Sequence, residues 1–301
     1  MTDLERLIAQ AEKVLEKLEA LLPQPLQAPD WNASAAYRYR KNSGGWAQGR
    51  PGVLEPVRHV AQIALDDLRE IDAQKERMVC NMRQFVAGRP ANNVLLTGAR
   101  GTGKSSLIKA CLHAFAAQGL RLIEVGKSDL TDLPDIAELV VGRPEKFLVF
   151  CDDLSFDDGE AGYKVLKSVL DGSVAASASN MLICATSNRR HLLPEFMQDN
   201  LGHTHAPDGE IHPGEAIEEK ISLSDRFGLW ISFYPFSQNE YLAIVRQWLR
   251  SLQVPEEEID AAAPQALLWA LERGSRSGRV AWQFAKDWAA QHRKRPAGRR
   301  A

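Results

Sequence analysis

Lys104 and Ser105 close the string Gly98-Ala99-Arg100-Gly101-Thr102-Gly103-Lys104-Ser105, which fills the pattern G-x-x-x-x-G-K-[ST] and continues into Ser106. That spacing suits a phosphate chain. The glycines let backbone N–H groups turn inward on anionic oxygens, the lysine reaches the β- and γ-oxygens, and the serine hydroxyl ligates Mg2+. Residues 98–106 are therefore expected to hold ATP with magnesium. An apolar run, NNVLLT, precedes the string and a helical pattern follows it, so the positive end of a helix faces the same anion.

A second cluster of chemistry lies downstream. The run FLVFCDD ends in Asp152 and Asp153. An acid at the end of a parallel strand sits beside the phosphate loop, so Asp152 is expected to hold the magnesium. Asp153 is the candidate base for the attacking water, but aspartate is about 1.5 Å shorter in reach than glutamate, and a base must come within about 2.6–3.2 Å of its proton. ICATSNRR then delivers Thr186, Ser187 and Asn188 to the same edge, where Asn188 could hold the water and sense the γ-phosphate. Read alone, that polar end is also an ordinary turn. SDRFG (224–228) places Arg226 at a domain edge, able to reach a neighbour's nucleotide. GSRSGRVAWQF (274–284) opens the last helix with Arg279, able to reach the phosphates of its own chain.

The elements that must position these groups follow from periodicity. Leu4, Leu7, Ile8, Ala11, Val14, Leu15, Leu18, Leu21 and Leu22 predict a helix over 3–22, stopped by Pro23 and Pro25. Residues 23–57 have no clean period and read as linker or irregular structure. Within them Tyr37, Tyr39 and Trp46 interleave with Arg38, Arg40 and Lys41, which either stacks on single-stranded nucleic acid or pins the segment to a core. A helix is expected near 73–86 and strands at 92–97, 121–125, 146–151, 181–187 and 229–234. Strands alternating with helices predict an α/β fold with a five-stranded parallel sheet covered on both faces. The last stretch reads as three helices without a strand. The expected domains are 1–51 (helix and linker), 52–235 (α/β core), 236–291 (helical lid) and 292–301 (basic tail).

Composition bounds the rest. A net charge of −2 sets up no global attraction to nucleic acid or membrane. No apolar run approaches the roughly 18 residues of a membrane span. The start, MTDLERL, is acidic where a secretory leader is basic. Cys80, Cys111, Cys151 and Cys184 are scattered and read as reduced thiols, so the expected location is cytoplasmic. His203, His205 and His212 lie in GHTHAPDGEIH. Zinc is one reading of them, and a mobile insertion is the favoured one. The tail HRKRPAGRR reads as a solvated end, with phosphate-backbone contact as its alternative.

Taken in order, the phosphate loop, acidic strand, Asn-bearing strand, SDRFG and the late arginine resemble the AAA+ ATPases. The strings NNVLLTGARGTGKSS, FCDDLSF, ATSNRRHLLPE, HPGEAIEEKISLSDRFGLWISFYPFSQNEYL and SGRVAWQF resemble one bacterial AAA+ family, domain of unknown function 815, over about residues 52–290. The resemblance implies that Asn188 is sensor 1, Arg226 an arginine finger acting in trans, and Arg279 sensor 2. It implies a nucleotide-dependent homo-oligomer, a ring or open spiral, that remodels a protein or DNA client. Replication-initiator and helicase-loader branches also carry Asp-Asp, and by that analogy turnover is expected to be slow. A nucleotide-gated switch or loader with little hydrolysis is the alternative. A small-molecule kinase fits poorly with the SDRFG and SGR segments.

Overall fold

The computed structural model describes residues 26–41, 52–156, 160–171, 179–188, 204–205, 211–212 and 223–292, with isolated positions 8, 10, 12 and 13. Those four positions are helical; the rest of the expected 3–22 helix lies outside the described residues, as do Trp46, His203, most of HPGEAIEEK and the 293–301 tail. In chain order the elements are β1 (Ala36–Arg40), β2 (Val53–Pro56), α1 (Asp72–Val86), β3 (Val94–Gly98), α2 (Lys104–Phe115), β4 (Leu120–Glu124), α3 (Leu133–Val140), β5 (Lys146–Cys151), α4 (Ala161–Asp171) and β6 (Met181–Ser187). A short ribbon of β7 (Thr204–His205) and β8 (Ile211–His212) follows. Then come β9 (Leu229–Phe233), α5 (Gln238–Ser251), α6 (Glu256–Ala261), α7 (Ala263–Glu272) and α8 (Gly278–His292).

The main sheet runs β2-β1-β4-β5-β6-β3-β9. It has seven strands, not the expected five, and every pair is parallel except β1 with β2. Central strands are buried on both faces, so their sequences read as continuous apolar runs rather than alternations. The period of two survives in which core each residue enters. Val94, Leu96, Leu148 and Phe150 pack in one core with α1, α2 and the helices that follow β9, whereas Leu95, Phe147, Val149 and Cys151 pack with α3 and α4.

The additional strands come from the segment expected to be linker. In β1 the side chains of Tyr37 and Tyr39 are buried and Arg38 and Arg40 are exposed. The Tyr37 hydroxyl donates to the Asp30 carbonyl at 2.6 Å, and the Tyr39 hydroxyl donates to Asp132 Oδ2 at 2.9 Å. Arg38 pairs with Glu124, Arg40 with Glu55 and Lys41 with Asp132. These tyrosines pin the segment to the core, so they do not offer the stacking faces of the nucleic-acid reading.

Among the described residues after 235 there are four helices where three were expected. Ala262 ends α6 and caps α7, and Pro264 in the first turn of α7 removes an N–H that a continuous helix would need. A reciprocal capping box between Ser237 and Glu240 starts α5. Buried Tyr241 ties α5 to α7 through its hydroxyl, which donates to the Ala266 carbonyl at 3.1 Å. Among the described residues no helix is long and apolar enough to cross a membrane.

Candidate functional site

Strand order assembles the site. β6 lies between β5 and β3, so the three strand ends that carry Asp152, Asn188 and the glycine-rich loop are adjacent. Register brings them level: Cys151 pairs with Ala185 and Thr97 with Ser187. Asp152 therefore comes opposite Thr186, and Gly98 opposite Asn188.

The loop needs its glycines for two different reasons. Gly98 has φ +119°, and a Cβ there would run into the Phe233 carbonyl oxygen of β9. Gly101 has φ +73°, and its Cβ would meet Ser277 Oγ at 2.9 Å and Arg279 Cβ at 3.4 Å. The first contact locks the loop to the sheet and the second to the start of α8. The Gly278 N–H completes that junction by donating to the Gly101 carbonyl at 2.8 Å. Thr102 closes the loop internally through its hydroxyl, which donates to the Ala99 carbonyl at 2.8 Å. Arg100 is exposed and Ser106 half-buried on the first turn of α2.

Lys104 is buried, and its Nζ donates to the carbonyls of Gly98 and Ala99, each at 2.7 Å, and to Asn188 Oδ1 at 3.0 Å. Burial pushes its pKa down, while the charges of Asp152 and Asp153 oppose that shift. Asn188 turns its other end to the acid, and its Nδ2 donates to Asp153 Oδ1 at 2.5 Å. Ser105 Oγ donates to Asp152 Oδ1 at 2.7 Å, and Thr186 Oγ1 donates to the same oxygen at 2.5 Å. The Ser105 hydroxyl and the Asp152 carboxylate form a hard-oxygen pair. That suits Mg2+, which takes one or two protein oxygens and fills its remaining positions with water and substrate phosphate.

Arg226 lies elsewhere. It precedes β9, whose Leu229 pairs with Val94 at the start of β3, whereas the loop follows Gly98 at its end. The length of β3, about 13 Å at ~3.3 Å per residue, separates the two edges of the sheet. Arg226 Nε forms an ion pair with Asp171, the last residue of α4. Arg279, in contrast, sits in the first turn of α8 against the loop, exposed and close to Gly101.

Some site residues carried no role from sequence alone. Thr186 was legible only as a polar strand end. Ser277 accepts from the Val280 N–H at 3.3 Å and so caps α8, a role that its place before the Gly278–His292 helix signals. The Gly278–Gly101 bond is backbone to backbone and has no side-chain signature. His205 and His212 belong to the β7–β8 ribbon, and no group of three His, Cys, Asp or Glu poised for a metal occurs among the described residues.

This sheet order, with a glycine-rich loop and acids on one edge and the start of α8 against the loop, defines an AAA+ fold. The chain belongs to the family described as "Protein of unknown function (DUF815)", whose model matches residues 39–292. The match starts before residue 52, because it takes in the end of β1. Among solved structures it is similar to Thermotoga maritima RuvB, described as a Holliday junction branch migration motor, with 18% identity and a TM-score of 0.50. A single-substitution form of the same protein gives 17% identity and 0.51. Each similarity covers 75% of this chain and 64% of RuvB, less than two thirds of that protein's length. No curated protein matches the chain.

Proposed function

We propose that this chain is an ATPase that binds Mg2+-ATP at residues 98–106 and uses nucleotide state to control its own assembly and the remodelling of a macromolecular partner. The observation that carries the reading is the convergence of Lys104, Ser105, Asp152, Asp153 and Asn188 at one sheet edge. Lys104, the N–H groups of the loop and the start of α2 would hold the triphosphate. Ser105 and Asp152 would hold the magnesium. When bound there, the ion neutralises charge on the phosphate oxygens. Asp153 would take the proton of the attacking water, and Asn188, already bonded to Asp153, would orient both. Arg279 would approach the phosphates from the lid. Arg226 stands at the opposite edge from its own loop, which favours a role on a neighbouring chain's nucleotide; such a finger contributes about 10³–10⁵ in turnover. The client is proposed as a protein or DNA, and the location as cytoplasmic.

A second reading, a nucleotide-gated switch with slow hydrolysis, is favoured by the short Asp153 side chain and its engagement with Asn188. The two readings separate in one experiment, which measures mass in solution with and without a non-hydrolysable ATP analogue, then steady-state hydrolysis at the same concentrations. The ATPase reading expects hydrolysis to rise with assembly; assembly without turnover supports the switch. Lys104→Ala should weaken ATP binding by about 10–150-fold in calorimetry, the value of one charge-assisted bond. Unchanged affinity would remove the loop from the account.

A further inference from the structure

Thr186 is the sixth residue of β6 and is 2% exposed. Its hydroxyl makes two bonds of opposite sense. Oγ1 donates to Asp152 Oδ1 at 2.5 Å and accepts from the Asp153 N–H at 2.9 Å. The Thr186 carbonyl also accepts from the Leu154 N–H at 2.7 Å. One threonine thus holds three consecutive residues as the chain leaves β5.

The middle residue has an unusual backbone. Asp153 sits at φ +53°, in the left-handed region. Short polar side chains such as aspartate tolerate that region better than longer ones. The turn sends the Asp153 carboxylate to Asn188. It therefore gives a physical reason for aspartate at this position, where reach alone would favour glutamate. Asp152 is fixed in the same arrangement, because Ser105 and Thr186 both donate to its Oδ1 and limit its rotation.

We propose that Thr186 is the positioning residue for both acids. Through Asp152 it sets the oxygen that would meet the metal, and through the Asp153 N–H it sets the turn that aims the base. This rests on the Mg2+-ATP reading of the same site. A hydroxyl supplies one donor and two acceptor positions, and a valine of equal shape supplies neither.

The test compares Thr186→Ser, Thr186→Ala and Thr186→Val with the parent. Mn2+ bound in the presence of ATP is counted by electron paramagnetic resonance, and ATP affinity without metal is measured by calorimetry in EDTA. The Ala and Val variants should lose about 10–100-fold in metal affinity, the usual cost of removing an outer-shell partner, and keep their metal-free ATP affinity. The Ser variant should match the parent. The Ser and Ala variants differ only in the hydroxyl, so this pair decides the matter even if Val does not fold. Equal metal affinity in Ser and Ala would overturn the proposal. A parent with no metal-dependent binding would overturn the Mg2+-ATP reading first, and this inference with it.

Discussion

Asn188 and Asp153 face each other across the ends of β6 and β5, with the amide Nδ2 donating to the carboxylate at 2.5 Å. Because Asn188 Oδ1 also accepts from Lys104, the proposed base is linked through one side chain to the lysine proposed to bind phosphate. An asparagine in place of Asp153 would keep the shape and tolerate the left-handed backbone, but could not accept a proton. Asp153→Asn should therefore bind ATP as the parent does and lose about 10²–10⁴ in turnover, the usual range for a general base. Calorimetry and a phosphate-release assay check the two halves. Normal turnover in this variant would mean that the water is handled by another group.

Gly98 and Gly88 both have positive φ, yet they predict different outcomes. A methyl at 98 collides with the Phe233 carbonyl, whereas one at 88 has nothing within 4 Å. Gly88→Ala should cost only the backbone strain, about 1–2 kcal/mol. Gly98→Ala adds overpacking of about 1–3 kcal/mol and breaks the fit of the loop against β9. Urea unfolding compares the two. Equal losses would show that the Gly98–Phe233 approach is not required.

Tyr39 tests the correction to the N-terminal segment. Its hydroxyl donates to Asp132 and accepts from the Gly52 N–H at 3.2 Å. Tyr39→Phe leaves that N–H without its partner, so a stability loss of about 1–3 kcal/mol is expected. Binding of a single-stranded oligonucleotide should not change. Unchanged stability would show that the Tyr39 hydroxyl does not hold the segment to the core.

The thiols make a chemical prediction. Cys80 is exposed, while burial pushes Cys111 and Cys151 up to about 12 and raises Cys184 well above the ordinary thiol value. At pH 8 a thiol with a pKa near 12 is about 10⁻⁴ thiolate. With a chromogenic thiol reagent the native protein should show one fast-reacting group, with the others appearing on denaturation. Fast reaction of a second thiol would place one of the buried strand or helix cysteines in solvent.

That the glycine-rich loop, Asp152 and Asn188 meet at one sheet edge was legible because each ends or follows an apolar strand run. The lid arginine was legible because SGR opens a helix. β1 was missed although its YRYR run alternates strictly: its pattern is aromatic and basic, so it resembled a binding surface as much as a half-buried strand. Burial decided between the two, and burial depends on β4 lying alongside. The Arg226–Asp171 pair joins residues far apart in sequence, and the Gly278–Gly101 bond uses only backbone, so neither leaves a local trace. Thr186 had a visible hydroxyl, but its two partners appear only once the β5–β6 register is known.

The most direct test mixes two inactive variants. Lys104→Ala lacks the proposed nucleotide-binding lysine, and Arg226→Ala lacks the proposed finger. Each alone should hydrolyse ATP slowly, the latter by about 10³–10⁵ below the parent. Combined at equal concentration and titrated, they form mixed interfaces in which an intact loop meets an intact arginine from the neighbouring chain. Phosphate release should recover to a measurable fraction of the parent rate and rise with concentration. Mixtures that stay as inactive as the separate variants, or an Arg226→Ala variant that alone turns over like the parent, would contradict the proposed finger.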